Sequence, residues 1–512
     1  MNVNLEAEGG TNIDSDDRPF AQSFDPSITQ SLNHSISQSL TSLADAIGVP
    51  PEQAWNRIKI CGITQDSRDV KPGYLFVAIK GFTTDGNRFI DDAISRGAAA
   101  IVSSEDVSCH VPLLLVDSGR IALAGLSAAF FSHPTRGLFT VGVTGTNGKT
   151  TVCHLLSHLL GDHESVIVGT VSNEARGLHA VTTPESPIIQ QIASDALASG
   201  KRNLILETSS AGLSLHRVDN VDFDAAVFTN LTHDHYDFHS DREGYLRAKL
   251  ILFRDLKPTA KAIINADDPV STQVTASTRA KVATYAIAKP ASYRATNIKY
   301  QLKSTRFTVE HGADRVPVRI ALPGEHNVYN ALAATAVASE AGIPFPLIAS
   351  RLATASSVSG RYEFLKAANG ASVVVDFAHS PDSLKKMLLS LQPYYERIIC
   401  VFGCGGESDR DKRPVMGRIS SQLADITILT TDNPKSENPR EIINAIAEGI
   451  PPEAKCEHIL DREEAIRRAI ELANPNDVVL IAGKGHETYQ IVGHEFVPYN
   501  DIQYLHNSGL VI

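Results

Sequence analysis

Between an apolar run at 138–143 and a helix-like run at 150–160, the chain reads Gly145-Thr-Asn-Gly-Lys-Thr-Thr151. Successive backbone N–H groups in such a turn form an anion cradle, and the helix that follows aims its positive end at the same point. Glycine is needed at 145 and 148 because a β-carbon would block the approach of a phosphate to the backbone. Thr146, Asn147 and Thr151 complete the cradle, Lys149 would reach terminal phosphates, and the Thr150 hydroxyl would ligate Mg²⁺. The strict Walker spacing has four residues between Gly and Gly-Lys; here Gly142 to Gly148 leaves five. An ordinary tight turn before a helix is the bland alternative.

Further chemistry gathers at other strand ends. The run Leu204-Ile-Leu206 ends in Glu207-Thr-Ser-Ser210, and the run at 225–228 ends in Thr229-Asn-Leu-Thr-His-Asp-His235-Tyr-Asp-Phe-His239. A carboxylate and histidines delivered at adjacent strand ends can surround the metal of a bound nucleotide. His233-x-His235-x-Asp237 also resembles a dinuclear zinc signature, but that pattern needs His directly after Asp, and Phe238 stands there. Lys249 lies in a mostly apolar helix-like stretch, where a solvated lysine is the commonest fate. Later, Asp376 closes an apolar run, well placed for a ribose or a metal-bound water. Phe402-Gly-Cys-Gly-Gly406 precedes the charge cluster Asp409-Arg-Asp-Lys-Arg413, and Asp432-Asn-Pro-Lys435 and Gly483-Lys-Gly-His-Glu487 follow two more strands. The mixed charges of Arg410, Arg413, Asn433, Lys435, Lys484, His486 and Glu487 suit a zwitterionic ligand.

The elements that must position these groups are legible in the pattern. Continuous apolar runs alternate with helical stretches, as in a buried parallel sheet with crossovers. The chain of 512 residues should hold roughly three domains at ~150 residues each. We expect an α/β protein: a polar, disordered extension at 1–36, a small α/β domain at 37–135, a central parallel-sheet ATPase domain of P-loop type at 136–356, and a Rossmann-like α/β domain at 357–512. The net charge of −11 and the lack of a basic block give no support to nucleic-acid binding. The six cysteines form no CxxC pair, and with no signal peptide they read as reduced cytoplasmic thiols. No apolar run reaches eighteen residues, so no membrane span is expected.

Taken in order, the motifs resemble those of the Mur ligase family: Asp66-Ser-Arg68, the glycine loop, Thr182-Thr183, 207–217, Asn265-Ala-Asp-Asp268, Gly324-Glu-His-Asn-Val-Tyr-Asn330, Gly360-Arg-Tyr-Glu363, 376–381, Asp432-Asn-Pro434 and Gly483–Glu487. The resemblance runs from about residue 60 to the C-terminus and implies an ATP-dependent amide ligase of peptidoglycan precursor synthesis, monomeric and cytoplasmic, acting on small molecules. It implies Mg²⁺ on Thr150, Glu207, His235 and Lys249, the last carbamylated by CO₂, with Lys149, Lys249 and His235 catalytic. Asn265, Asn330, Arg361 and Asp376 would contact ATP. Ser67, Thr182, Thr183, Ser209 and Arg217 would hold UDP-MurNAc-L-Ala-D-Glu. Arg410, Asp432, Asn433, Lys435, Gly483 and Glu487 would hold the incoming amino acid. Leu215 and Phe377 depart from the polar Gln and the Tyr that relatives carry. Lys435 stands where the diaminopimelate-adding branch has an Arg; meso-diaminopimelate is favoured, with L-lysine the alternative. Folylpolyglutamate synthetase shares the loop, but the N-terminal domain and Gly483–Glu487 speak against it. A non-ligase nucleotide-binding protein is the reading from another class.

Overall fold

The computed structural model describes residues 36–81, 84–232, 236–239 and 241–512, without the side chains of Tyr236 and Asp237. The extension expected at 1–36 therefore falls, but for Ile36, outside the described residues. The chain divides into two compact units, one ending at Phe130 and the other running from Phe131 to Ile512.

The first unit is built on a four-stranded parallel sheet, Gly62–Thr64, Tyr74–Val77, Ala98–Ser103 and Leu113–Leu115 in that order. Phe76, Ala78, Ile90, Ala93 and Ile101 form a core beneath it. A 3-10 turn, Gly86–Phe89, leads into the helix Ile90–Ser95.

The second unit holds a nine-stranded and a six-stranded sheet. Across the larger one the order is Asp314–Ile320, Ser304–His311, Tyr293–Gln301, Lys281–Ala286, Lys261–Asn265, Ala225–Phe228, Phe139–Thr144, Asn203–Glu207 and Ser165–Val168. Strand residues alternate between two cores. Val141, Val143, Ile205 and Val227 pack on one side with Val152, Leu156, Val328 and Leu332. Leu204, Leu206, Ala226 and Phe228 pack on the other with Tyr245, Leu252 and Phe253. This two-sided burial is why the strands read as unbroken apolar runs.

The parallel core of the sheet is as expected, but one edge carries antiparallel strands. Tyr293–Gln301 pairs in parallel with Lys281–Ala286, but Ser304–His311 and Asp314–Ile320 then add antiparallel strands. These have one wetted face, with Arg306, Asp314, Arg315 and Arg319 exposed, so they alternate instead of forming apolar runs.

In the six-stranded sheet, Ser372–Asp376, Val478–Ala482, Ile398–Phe402, Ile426–Leu429 and Cys456–His458 are parallel neighbours, with Glu363–Lys366 antiparallel at one edge. Ser380 caps the helix Pro381–Leu391, accepting a hydrogen bond from Ser383 N. No helix among the described residues is long and apolar enough to cross a membrane.

Candidate active site

The glycine loop leaves the strand Phe139–Thr144, which lies between the strands ending in Glu207 and Phe228. Gly145 and Gly148 have φ of 145° and 88°. A β-carbon would lie 1.8 Å from Thr229 Oγ1 at the first position and 2.4 Å from Asn330 Oδ1 at the second. Both glycines are required by space and by backbone. The loop is pinned by Thr146 N donating to Asn230 O (2.8 Å), Asn147 N to Asn230 Oδ1 (3.0 Å) and Thr229 Oγ1 to Asn147 O (2.7 Å). The helix Lys149–Leu160 starts at Gly148 with no side-chain cap, a terminus open to an anionic ligand.

Lys149 Nζ donates to Gly145 O at 3.0 Å and Thr146 O at 2.9 Å. Lys249, fully buried on the helix Arg242–Arg254, donates to the same Gly145 O at 3.0 Å. One turn earlier on that helix, the Tyr245 ring lies 4.2 Å from the Lys249 ammonium, and its hydroxyl donates to Thr146 Oγ1 at 3.2 Å. Two ammonium groups meeting on one carbonyl oxygen lie within about 6 Å of each other, a repulsive arrangement in a low-dielectric site.

Thr150 Oγ1 donates to the buried Glu207 Oε2 at 3.0 Å, and Arg361 Nη2 lies 3.4 Å from Thr150 Oγ1. Thr170 N donates to Glu207 Oε1 at 3.0 Å. Burial pushes the Glu207 carboxyl up, against the pull of Lys149 and Arg361. Thr150 and Glu207 thus offer adjacent hard oxygen donors, the set that Mg²⁺ takes. His235 and His233 lie outside the described residues. His239 packs against Phe238 and Tyr245, with ring centroids 4.7 and 5.3 Å away.

A cavity of about 300 Å³ opens beside the loop, lined by Asn147, Gly148, Thr151, Asn265, Asn330, Arg361 and Asp376. Tyr285, His326, Tyr329 and Asp267 also line it; the last three lie within the quoted motifs without a role of their own, and Tyr285 lies in none. The four residues expected to contact ATP therefore share one wall system. The Arg361 guanidinium stands 4.4 Å over the Phe377 ring, and Tyr362 N donates to Asp376 Oδ2 at 2.8 Å. Tyr329 donates to Asp267 Oδ2 at 2.8 Å. Burial holds His326 down to about 4.

Behind Glu207 lies the cluster expected to hold the acceptor. Thr183 Oγ1 is 2.7 Å from Glu207 O and 3.0 Å from Ser209 Oγ. Ser209 caps the short helix Ser210–Ser214, Arg217 Nη1 donates to Thr183 O at 2.9 Å, and Arg217 Nη2 pairs with Glu185 at 2.8 Å. Thr182 Oγ1 sits 3.2 Å from Thr170 Oγ1. Ser67 belongs to the other unit, buried in a 3-10 turn that Asp66 caps.

At the ends of the smaller sheet, Asn433 Nδ2 donates to Glu487 Oε2 at 2.9 Å. Gly483 has φ of 111°, and a β-carbon there would lie 2.6 Å from Asp432 Oδ2. Lys435 adopts φ of 51°, held by Lys435 N donating to Ile491 O (3.0 Å) and Gly493 N donating to Lys435 O (2.9 Å). Its ammonium has no partner among the described residues. The expected convergence of charges is narrower than the sequence suggested. Arg413 turns away to Glu437 (3.0 and 3.1 Å), whose carboxyl it draws down to about 2, while Arg410 is exposed with Nη2 3.4 Å from Glu437 Oε2. Burial holds His486 down to about 3; its ring centroid lies 4.8 Å from that of Phe377.

Hydrogen bonds bridge from the larger sheet's loops to this cluster. Thr488 N and Oγ1 donate to Glu174 Oε1 at 2.8 and 2.7 Å, and Ala180 N donates to Tyr489 Oη at 3.0 Å. At the glycine loop, Asn147 Nδ2 donates to Asp382 Oδ2 at 2.9 Å.

Comparison with known proteins places this geometry among relatives. Residues 59–131 match the Mur ligase family catalytic domain, 143–338 the Mur ligase middle domain, and 360–485 the Mur ligase glutamate ligase domain. The chain is 42% identical over 455 residues to the UDP-N-acetylmuramoyl-L-alanyl-D-glutamate--2,6-diaminopimelate ligase of Caldanaerobacter subterraneus subsp. tengcongensis, covering 87% of this chain and 93% of the relative. It is 40% identical to the ligase of the same name from Geobacillus thermodenitrificans, covering 86% and 93%. A solved structure bearing that ligase name is 29% identical, with a TM-score of 0.65, and covers 92% of this chain and 98% of its own.

Proposed function

This chain belongs to the Mur ligase family, and from that premise we propose that it joins meso-diaminopimelate to UDP-N-acetylmuramoyl-L-alanyl-D-glutamate at the expense of ATP, a step of peptidoglycan precursor synthesis. The observation that carries the reading is the row of strand ends in the Phe131–Ile512 unit. A phosphate cradle, a cavity of about 300 Å³ and an acidic, amide-bearing cluster lie at the ends of parallel strands in two sheets, where such strands bind ligands.

In this reaction a carboxylate oxygen of the D-glutamyl residue attacks the γ-phosphorus of ATP and ADP departs. The amine of the incoming amino acid then attacks the acyl carbon and loses a proton, and phosphate leaves with the electron pair of the broken C–O bond. Lys149 swings from its own loop carbonyls to the terminal phosphate, and the N–H groups after Gly148 stabilise the charge that builds there. Thr150 and Glu207, with His235, hold Mg²⁺, which supplies charge neutralisation among the phosphate oxygens. Lys249 takes up CO₂ as a carbamate, the ammonium losing two protons as the N–C bond forms. That exchange turns one of two crowded cations into an anion, and the Gly145 carbonyl no longer serves two ammonium groups. Asn265, Asn330, Arg361 and Asp376 enclose the nucleotide. Thr182, Thr183, Ser209 and Arg217 position the dipeptide beside Glu207, and Ser67 meets the uridine end. Glu487, oriented by Asn433, receives the amino acid's distal ammonium, and Lys435 its distal carboxylate. A lone ammonium cannot fork onto a carboxylate as a guanidinium does, so this contact is weaker than an Arg would make. L-Lysine has no distal carboxylate for Lys435 to meet. The chain works as a cytoplasmic monomer.

The test offers the purified protein ATP, the UDP-linked dipeptide and one amino acid at a time. ADP, phosphate and tripeptide should form with meso-diaminopimelate. Product with L-lysine alone would overturn the choice of amino acid, and phosphate release only with a folate acceptor would overturn the choice of substrate.

A further inference from the structure

Lys484 has a fully buried side chain that the reaction above does not use. It sits just past the strand Val478–Ala482, between Gly483 and Gly485, which have φ of 111° and 52°. A β-carbon at Gly485 would lie 2.5 Å from Gly360 O, as one at Gly483 would crowd Asp432. Two left-handed glycines in close quarters thus carry the lysine inward, where long cationic side chains more commonly run out to water. Its ammonium donates to Glu487 Oε2 at 2.7 Å and Asn433 Oδ1 at 2.9 Å, and stands 3.8 Å from Asp432 Oδ1. Asn433 closes the triangle by donating to the same Glu487 oxygen, and Ile491 N donates to Asn433 Oδ1 at 3.1 Å. The arrangement fixes the amide's orientation: its oxygen faces Lys484 and Ile491 N, and its nitrogen faces Glu487. One ammonium is shared between two carboxylates, with Arg361 acting on Glu487 and Arg462 on Asp432 from farther off. Oε1 of Glu487 accepts no hydrogen bond among the described residues.

We propose that Lys484 is a positioning residue that sets amino-acid specificity: it locks Glu487 and Asn433 in place and leaves the second Glu487 oxygen for the distal ammonium of the incoming amino acid. This rests on the ligase reading above. Were the lysine mere filling, a methionine of similar length would serve as well. The ionisable groups around Glu487 are Lys484, Asp432, Tyr489 and Arg361, with His486 beside it in the chain. Burial raises the Glu487 carboxyl, and Lys484 is the chief group holding it down. Loss of the ammonium lets that carboxyl rise further and protonate at higher pH.

The experiment measures KM for diaminopimelate and for ATP in the full-length protein and in Lys484→Met, from about pH 8 to about pH 6. The variant should show KM for diaminopimelate raised at least about tenfold, climbing as pH falls, with KM for ATP within about twofold of the parent. Unchanged KM values, or equal rises for both substrates, would overturn the proposal. If Lys484→Met does not fold, Lys484→Met/Glu487→Gln removes both charges. It should fold, keep the parent KM for ATP and lose diaminopimelate with no pH trend; a parental KM for diaminopimelate would overturn the proposal. A parent protein that turns over no diaminopimelate sinks the ligase reading itself, whereas a parent that does, beside an unaltered Lys484→Met, sinks this inference alone.

Discussion

Lys149 and Lys249 compete for one carbonyl, Gly145 O, at the same 3.0 Å. Conversion of Lys249 to an anion would end that competition, which is the part the proposed mechanism gives it. Lys249→Ala should cut kcat at least about a hundredfold, with KM for ATP little altered, and added bicarbonate should restore nothing. Coupled phosphate release measures it, and full activity would remove Lys249 from the mechanism. At this scale the sequence was informative where motifs carry their own geometry. Asn265, Asn330, Arg361 and Asp376 were each readable from a local motif, and all four line one cavity. Other side chains were legible only in type. Arg413 sits in a visible charge cluster, yet its partner Glu437 is 24 positions away, and no local pattern announces that pairing. Asn147 meets Asp382 across 235 positions, farther still beyond any periodicity. Lys484 was readable as a charge near the pocket, but its burial depends on the two glycines beside it having the same left-handed turn.

Among the elements, the glycine loop tolerates least. Gly148→Ala must place a β-carbon 2.4 Å from Asn330 Oδ1 at a φ that L-residues rarely adopt, which displaces either the loop or the helix Glu325–Glu340. ATP affinity by calorimetry should fall at least about tenfold. Gly342→Ala, with a similar φ of 89° and open space around it, should leave ATP affinity intact. The helices Arg462–Leu472 and Asp501–Asn507 are joined by a buried ion pair, Arg462 Nε to Asp501 Oδ1 at 2.7 Å and Nη2 to Oδ2 at 2.8 Å. Asp501→Ala strands the guanidinium, so urea unfolding should show a loss of about 3–5 kcal/mol. The parallel strands were legible because burial on both faces makes them uniformly apolar. The hairpin strands Ser304–His311 and Asp314–Ile320 were not, because one face is wet; the turn at Gly312, φ 55°, was the available signal.

For the whole molecule, three histidines, His486 buried and His154 and His326 half-buried, hold the Phe131–Ile512 unit to a pH window. Burial keeps His154 and His326 down to about 4 and His486 down to about 3. Each stays neutral when folded, whereas in the unfolded chain it takes up a proton near its ordinary 6.5. The unfolded state thus binds more protons between about pH 4 and 6.5, and stability rises with pH across that span. Urea midpoints should fall as pH drops from about 6.5 towards 4; a flat profile would show that these rings do not stay neutral. The bridges from Glu174 to Thr488 and from Ala180 to Tyr489 carry a separate consequence. They tether the stretch leading into Thr182 and Thr183 to the ribbon that follows Glu487. On the proposed assignment of those segments to the two joining partners, one leash runs between both holds, and whatever slackens one should be felt at the other.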